Sequence, residues 1–151
     1  MASRLPTMID ISTKTPAARR ARAAARLRCS AAAVERLREG SLEKGDALAA
    51  ARLAGIAGAK RTHELIPLCH ALPVDFANVE FELGDHEVRI EAEVKSRAAT
   101  GVEMEALVAA ALAALTLYDM CKALAPDMTI TDIRLLEKTG GEHDYRREEE
   151  A

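Results

Sequence analysis

Val74-Asp75-Phe76-Ala77-Asn78-Val79-Glu80-Phe81-Glu82-Leu83-Gly84-Asp85-His86-Glu87-Val88-Arg89-Ile90-Glu91-Ala92-Glu93-Val94 alternates apolar and polar residues on both sides of a turn. Ala77, Val79, Phe81 and Leu83 share one face of the first half, and Val88, Ile90, Ala92 and Val94 share the matching face of the second. Successive strand side chains point to opposite sides, so this period of two predicts strands over 74–83 and 88–94, each with one buried face. Gly84-Asp85-His86 supplies the reversal, and the pair reads as an antiparallel hairpin.

Outward from the hairpin the period changes. Leu48, Ala51, Ala54, Gly55 and Ala59 recur at helical spacing over 46–64, with Pro67 just beyond. A shorter helix is predicted over 31–39, with Ser30 as N-cap and Gly40 as its stop. Residues 102–124 form a long helix broken by Pro126 and Asp127. Strands are predicted at 8–12 and 128–138. The Ala/Arg-rich stretch 15–28 has poor periodicity and reads as a helix or an extended arm. Interleaved helices and strands around an antiparallel hairpin predict an α+β two-layer sandwich with its helices on one face of the sheet. The chain reads as a single domain over 1–151, with 1–7 and 142–151 as flexible tails.

Composition narrows the function. The 151 residues are 49% apolar with two Phe, two Tyr and no Trp, so the core is aliphatic and offers no aromatic platform for stacking bases. A net charge of -3 lacks the basic field that nucleic-acid binding requires. Three widely spaced cysteines, Cys29, Cys69 and Cys121, suggest reduced thiols in a cytoplasm. No run of about 18 uninterrupted apolar residues calls for a bilayer, and no secretory leader is visible.

Three groups of residues invite chemistry. Glu103 and Glu105 open the long helix and Asp119 and Lys122 close it, with no charge at 108–117. Glu105, Asp119 and Lys122 fall within an arc of about 100°, which fits a solvated face with an i,i+3 pair or a site. Fourteen residues of helix separate Glu105 from Asp119 by about 21 Å, so if both serve one site another subunit must bring them together. Cys69-His70 suggests a metal or a thiolate, but adjacent extended residues point apart and no further ligand spacing supports zinc. His70 in proton transfer or hydrogen bonding fits better. Lys44, Lys60, Arg61 and Lys138 lie near turns, as surface charges or as contacts to a phosphate-rich anion. No P-loop or dinucleotide fingerprint is present.

Met8-Ile9-Asp10-Ile11-Ser12-Thr13-Lys14, Lys44-Gly45-Asp46, Ala51-Arg52-Leu53-Ala54-Gly55-Ile56, Ala59-Lys60-Arg61-Thr62, Leu65-Ile66-Pro67-Leu68-Cys69-His70, Thr100-Gly101-Val102-Glu103-Met104-Glu105-Ala106-Leu107 and Tyr118-Asp119-Met120-Cys121-Lys122-Ala123 run co-linearly from about residue 8 to 141. Together they resemble the cyclic pyranopterin monophosphate synthase family of molybdenum cofactor biosynthesis. The resemblance implies a ferredoxin-like α+β fold and a homohexamer, a trimer of dimers with active sites between subunits. It implies a small-molecule substrate, a cyclised dihydro-GTP converted to cyclic pyranopterin monophosphate with release of diphosphate. No metal or redox cofactor is implied. Asp119, Lys122 and Lys44 take the catalytic positions. Leu68, Cys69, His70, Met104 and Glu105 take substrate-contacting ones, and Glu103, Asp10, Lys14, Arg22 and Lys138 fall where the family also places site residues.

Proton transfers during purine-to-pterin rearrangement suit Asp, Lys and His, and a lysine among other cations can have its pKa lowered and act as a base. The chain departs from the family pattern at Ala71, where Pro is usual. Ala99 replaces a common Lys or Arg, with Arg97 nearby as a substitute. Glu142 replaces a Lys of the tail motif. The rival reading is a ferredoxin-like small-molecule-binding or regulatory oligomer without catalysis, in which Asp119, Lys122 and Lys44 are dispensable.

Overall fold

The computed structural model describes residues 5–148. Five antiparallel strands form one sheet: β1 (Ala17–Arg28), β2 (Phe76–Leu83), β3 (Glu87–Ala98), β4 (Thr129–Thr139) and β5 (Tyr145–Arg146), in spatial order β2-β3-β1-β4-β5. The helices are α1 (Ala31–Glu39), α2 (Ala47–Lys60), α3 (Thr62–Leu65) and α4 (Glu103–Cys121). The fold is the α+β ferredoxin-like sandwich, and the hairpin registers as its pattern requires, with Val79 opposite Ala92 and Phe81 opposite Ile90.

The stretch 15–28 is neither helix nor arm but the central strand. Ala21, Ala23, Ala25 and Leu27 are buried against the helices. Arg20, Arg22 and Arg26 project to the other face, where Glu91, Glu93, Glu137, Glu87 and Asp132 meet them. β1 is flanked on both sides, by β3 and β4, so its backbone groups are satisfied by neighbours on each edge. Residues 8–12 are irregular rather than a strand; the Asp10 carboxylate accepts from the Ser12 N–H at 2.9 Å and turns the chain there.

Helix ends follow local chemistry. Ser30 Oγ accepts from Ala33 N–H, and Gly40 stops α1 in the left-handed conformation. Asp46 caps α2 through Ala49 N–H. The single helix expected to reach residue 64 ends at Lys60, because Arg61 leaves helical geometry before α3 begins. The buried Thr62 hydroxyl donates to the Gly58 and Ala59 carbonyls, a back-bond that bends helices.

The core lies between the sheet and the α2/α4 pair. Ala106, Ala109, Ala110, Ala113, Ala114 and Leu117 are fully buried, and these small side chains let α4 sit close to the strands and to α2. At 19 residues α4 has the length and mean hydropathy of a membrane span, although Glu103, Glu105 and Asp119 interrupt it, so it is not an uninterrupted apolar run. Its burial against the sheet identifies it as the core helix of this sandwich.

Candidate active site

α4 is uninterrupted, so Glu105 near its start and Asp119 near its end lie about 21 Å apart, as the sequence spacing requires. Each end carries a group of side chains.

At the C-terminal end, Asp119 occupies the last full turn and Lys122 caps the helix. The Asp119 carboxylate receives Lys122 Nζ on one oxygen at 2.8 Å and Lys44 Nζ on the other, also at 2.8 Å. Lys44 also donates to the Asp119 carbonyl at 3.1 Å. The Asp46 cap and the turn at Gly45 set the loop that carries Lys44 across to α4. Tyr118 ties the next turn down by donating its hydroxyl to the Pro126 carbonyl at 3.1 Å. The three charges are about half exposed. The Lys122 and Lys44 ammoniums hold the Asp119 carboxyl down at about 2. Asp119 in turn raises the Lys122 pKa, the reverse of the depressed lysine expected from cationic crowding. Here Lys122 is held as the charged partner of Asp119.

At the N-terminal end the environment is drier. Leu68, Cys69, His70, Met104, Glu103, Glu105 and Lys14 line one hollow of about 510 Å³. Glu105 is only 4% exposed; burial raises its pKa, and the neighbouring Glu103 charge adds to the effect. The Cys69 thiol is pushed up by burial and then by Glu105, which suits an uncharged contact rather than a thiolate. His70 Nε2 lies 2.6 Å from the Ile9 carbonyl oxygen, so the 8–12 segment packs onto the Cys-His stretch. Among the described residues no group of three or more His, Cys, Asp or Glu is placed to hold a metal ion.

Lys14, Thr100, Gly101 and Glu103 also line an adjoining hollow of about 470 Å³, together with Arg19 and Lys138. Lys138 Nζ meets Glu103 at 2.9 Å, and Lys14 Nζ reaches Glu142 at 3.6 Å. The structure therefore gathers Leu68, Cys69, His70, Glu103, Met104, Glu105, Lys14 and Lys138 at one end of α4 and Asp119, Lys122 and Lys44 at the other. Asp10 lies beside this end, on the 8–12 segment, its carboxyl held low chiefly by hydrogen bonds from Ser12, with His70 near enough to add to the effect.

Arg22 is not brought together with them. It projects from the opposite face of the sheet, between Glu91 and Glu137. Arg19, which sequence reasoning passed over, lines the Lys14/Lys138 hollow instead and donates to the Ala98 and Ala99 carbonyls. It is thus Arg19, not Arg97, that brings a cation to Ala99. The parity of the strand was the missing signal, since odd-numbered residues of β1 face the helices.

These features define an α+β enzyme of the ferredoxin-like class, with a carboxylate held between two lysines at one end of a core helix and a partly buried hollow, adjoined by Lys14, Arg19 and Lys138, at the other. The chain belongs to the MoaC family, whose model matches residues 8–141. It is 45% identical over 142 residues to a cyclic pyranopterin monophosphate synthase from Peptoclostridium acidaminophilum, covering 93% of this chain and 90% of that protein. Cyclic pyranopterin monophosphate synthase 2 of Mycobacterium tuberculosis is 54% identical over 134 residues, 89% of this chain and 80% of its own. Molybdenum cofactor biosynthesis protein 1 of Drosophila melanogaster is 46% identical over 144 residues, 94% of this chain but 26% of that longer protein.

Proposed function

We propose that this protein is a cyclic pyranopterin monophosphate synthase acting in molybdenum cofactor biosynthesis, with a cyclised dihydro-GTP as substrate and diphosphate as the second product. The observation that carries the reading is the Lys44–Asp119–Lys122 group, supported by the names of relatives that align along nearly the whole chain. An ionised carboxylate between two ammoniums holds both lysines in fixed positions while leaving their remaining protons for a substrate. Ring opening and re-closure need proton donors and acceptors within hydrogen-bond reach, which Lys122, Lys44 and Asp119 supply. Lys14, Arg19 and Lys138 supply positive charge for phosphate oxygens and for the diphosphate that departs as the cyclic phosphate closes.

One molecule of substrate does not span 21 Å of helix, so the reading carries an inter-subunit site in a homo-oligomer, a hexamer built as a trimer of dimers. In that assembly the Asp119 end of one chain faces the Glu105 end of another. The exposure of the Lys44–Asp119–Lys122 group leaves it open for a partner segment and substrate. A cytoplasmic setting completes the reading, supported by three unpaired cysteines among the described residues.

The test is direct. Purified protein incubated with the cyclised dihydro-GTP releases diphosphate and yields a pterin that oxidises to a fluorescent derivative. If neither product forms, the protein is a binding module and this reading fails.

A further inference from the structure

The open face of the sheet carries a second collection of positive charge that the reaction does not use. Where β4 meets β1, Arg22 is opposite Glu137 and Ala23 is opposite Leu135, so Leu136 is an extra residue in a bulge. Without that bulge, Arg134 and Glu137, three residues apart, would point to opposite faces. With it, Arg134 opposite Ala24 and Glu137 opposite Arg22 share the open face. Beyond them β5 adds Arg146 opposite Glu137, followed by Arg147. Arg22, Arg134, Arg146 and Arg147 thus converge on one hollow of about 700 Å³.

Its charges are unequally committed. Glu137 is held by Arg20 and Arg22, and Arg22 is also held by Glu91. Arg147 spends only Nε, on the Leu135 carbonyl at 2.9 Å. Among the described residues Arg134, Arg146 and Arg147 form no ion pair, and Glu148 is the one other acid in the lining. Arg134 Nε is buried with no hydrogen-bond partner among the described residues, a state that costs a charged donor more than a neutral one. A protein of net charge -3 that gathers in one recess three guanidiniums without an ion pair among the described residues needs a reason for doing so.

We propose that this hollow binds a linear phosphate chain, either inorganic diphosphate or the phosphate tail of a nucleotide. Guanidinium forks match phosphate oxygens in pairs of parallel hydrogen bonds. Arg134 and the Glu137–Arg146 pair are spread along roughly 10 Å of strand, a span suited to successive phosphates rather than to one. The hollow is separate from the Lys14/Lys138 one. Lys138 pairs with Ala21 and shares its helix-side face, whereas Glu137 pairs with Arg22 on the open face.

Calorimetric titration tests this without any turnover assay, so its outcome is independent of the proposed reaction. The background is Lys14→Gln/Lys138→Gln, which removes cations of the other hollow. In that background sodium diphosphate binds, and guanosine, which lacks phosphate, does not. Arg134→Gln and Arg146→Gln each weaken diphosphate about tenfold or more, as loss of a charge-assisted bond implies. Arg134→Lys falls between, because it keeps the charge and loses the fork. Arg146 lies on the exposed edge strand, so its replacement reads binding even if Arg134→Gln disturbs folding. GTP binding tighter than diphosphate identifies a nucleotide site, and equal affinity identifies an inorganic one. Absence of diphosphate binding in the Lys14→Gln/Lys138→Gln background, or affinity unchanged by Arg146→Gln in a protein of normal thermal midpoint, overturns the proposal.

Discussion

The two ends of α4 solve opposite electrostatic problems. At the C-terminal end Asp119 is wet, paired twice at 2.8 Å, and ionised across the whole working range of pH. At the N-terminal end Glu105 is 4% exposed and is pushed toward its neutral form by burial and by Glu103. An N-terminal helix dipole favours a carboxylate, yet the lost hydration of this one outweighs it. The contrast teaches that one helix can present a fixed charge at one end and a carboxyl biased toward its neutral form at the other. Between them the alanine-rich middle packs tightly enough to hold the spacing.

The largest effect sits at the wet end. Asp119→Asn or Lys44→Ala lowers turnover by about 10²–10⁴, the usual worth of positioned acid/base groups. Its thermal midpoint stays close to that of the parent, because exposed ion pairs contribute little to folding. Equal loss of stability and activity would break the contrast. A hybrid experiment sharpens it. Asp119→Asn and Glu105→Gln chains, each inactive alone, are mixed after denaturation and refolded together. If each site draws one end from each of two subunits, random pairing returns roughly a quarter of the parental activity. No recovery would place both ends in sites made by single chains.

The legibility of these features differed for physical reasons. The hairpin was plain because Val, Ile and Phe contrast sharply with Glu and Arg at every second position. β1 has the same period, but its buried row is mostly alanine, which is also the best helix former. The contrast in hydrophobicity was too small to choose a secondary structure, and only the arginine row carried the alternation. The same ambiguity hid Arg19, whose face is known only once 17–28 is a strand. Asp119 and Lys122 were legible as an i,i+3 pair. Lys44, 75 residues away from Asp119, was legible as a cation beside a turn, but its place with Asp119 entered only through family resemblance. The bulge at Leu136 left no mark, because it depends on registration against β1.

The middle of the helix gives an intermediate effect. A Cβ added at Gly55 would lie 2.7 Å from a Val79 methyl and 2.8 Å from the Ala109 carbonyl oxygen. The backbone of α4 cannot yield as a side chain can, so Gly55→Ala costs about 1–3 kcal/mol despite its gain in helix propensity. At Gly58 the obstacle is the terminal methyl of Leu112, which can rotate away. Gly58→Ala is therefore far milder. Chemical denaturation of both variants measures the difference. Equal costs would mean that α2 and α4 are not held at the separation that keeps the two ends apart.

The smallest effect is a pair of pH slopes of opposite sign. Glu105 has a folded-state pKa above its ordinary 4.5, so the folded protein holds its proton where the unfolded chain has released it. Stability from this group is lost as pH rises from about 4.5 through the raised value. Asp119 has a folded-state pKa of about 2 against an ordinary 3.8, so the folded protein releases its proton first. Its contribution is present above 3.8 and is lost as pH falls toward 2. Thermal midpoints measured across pH, referenced to the parent, separate the two. Glu105→Gln removes the decline on the neutral side, because an amide does not ionise and so escapes the cost of burying a charge. Asp119→Asn removes its share of the decline on the acid side, a smaller change because water screens that exposed group. Matching pH profiles for the two variants would show that the ends of α4 sit in the same electrostatic environment, and the division of labour along the helix would fall with that result.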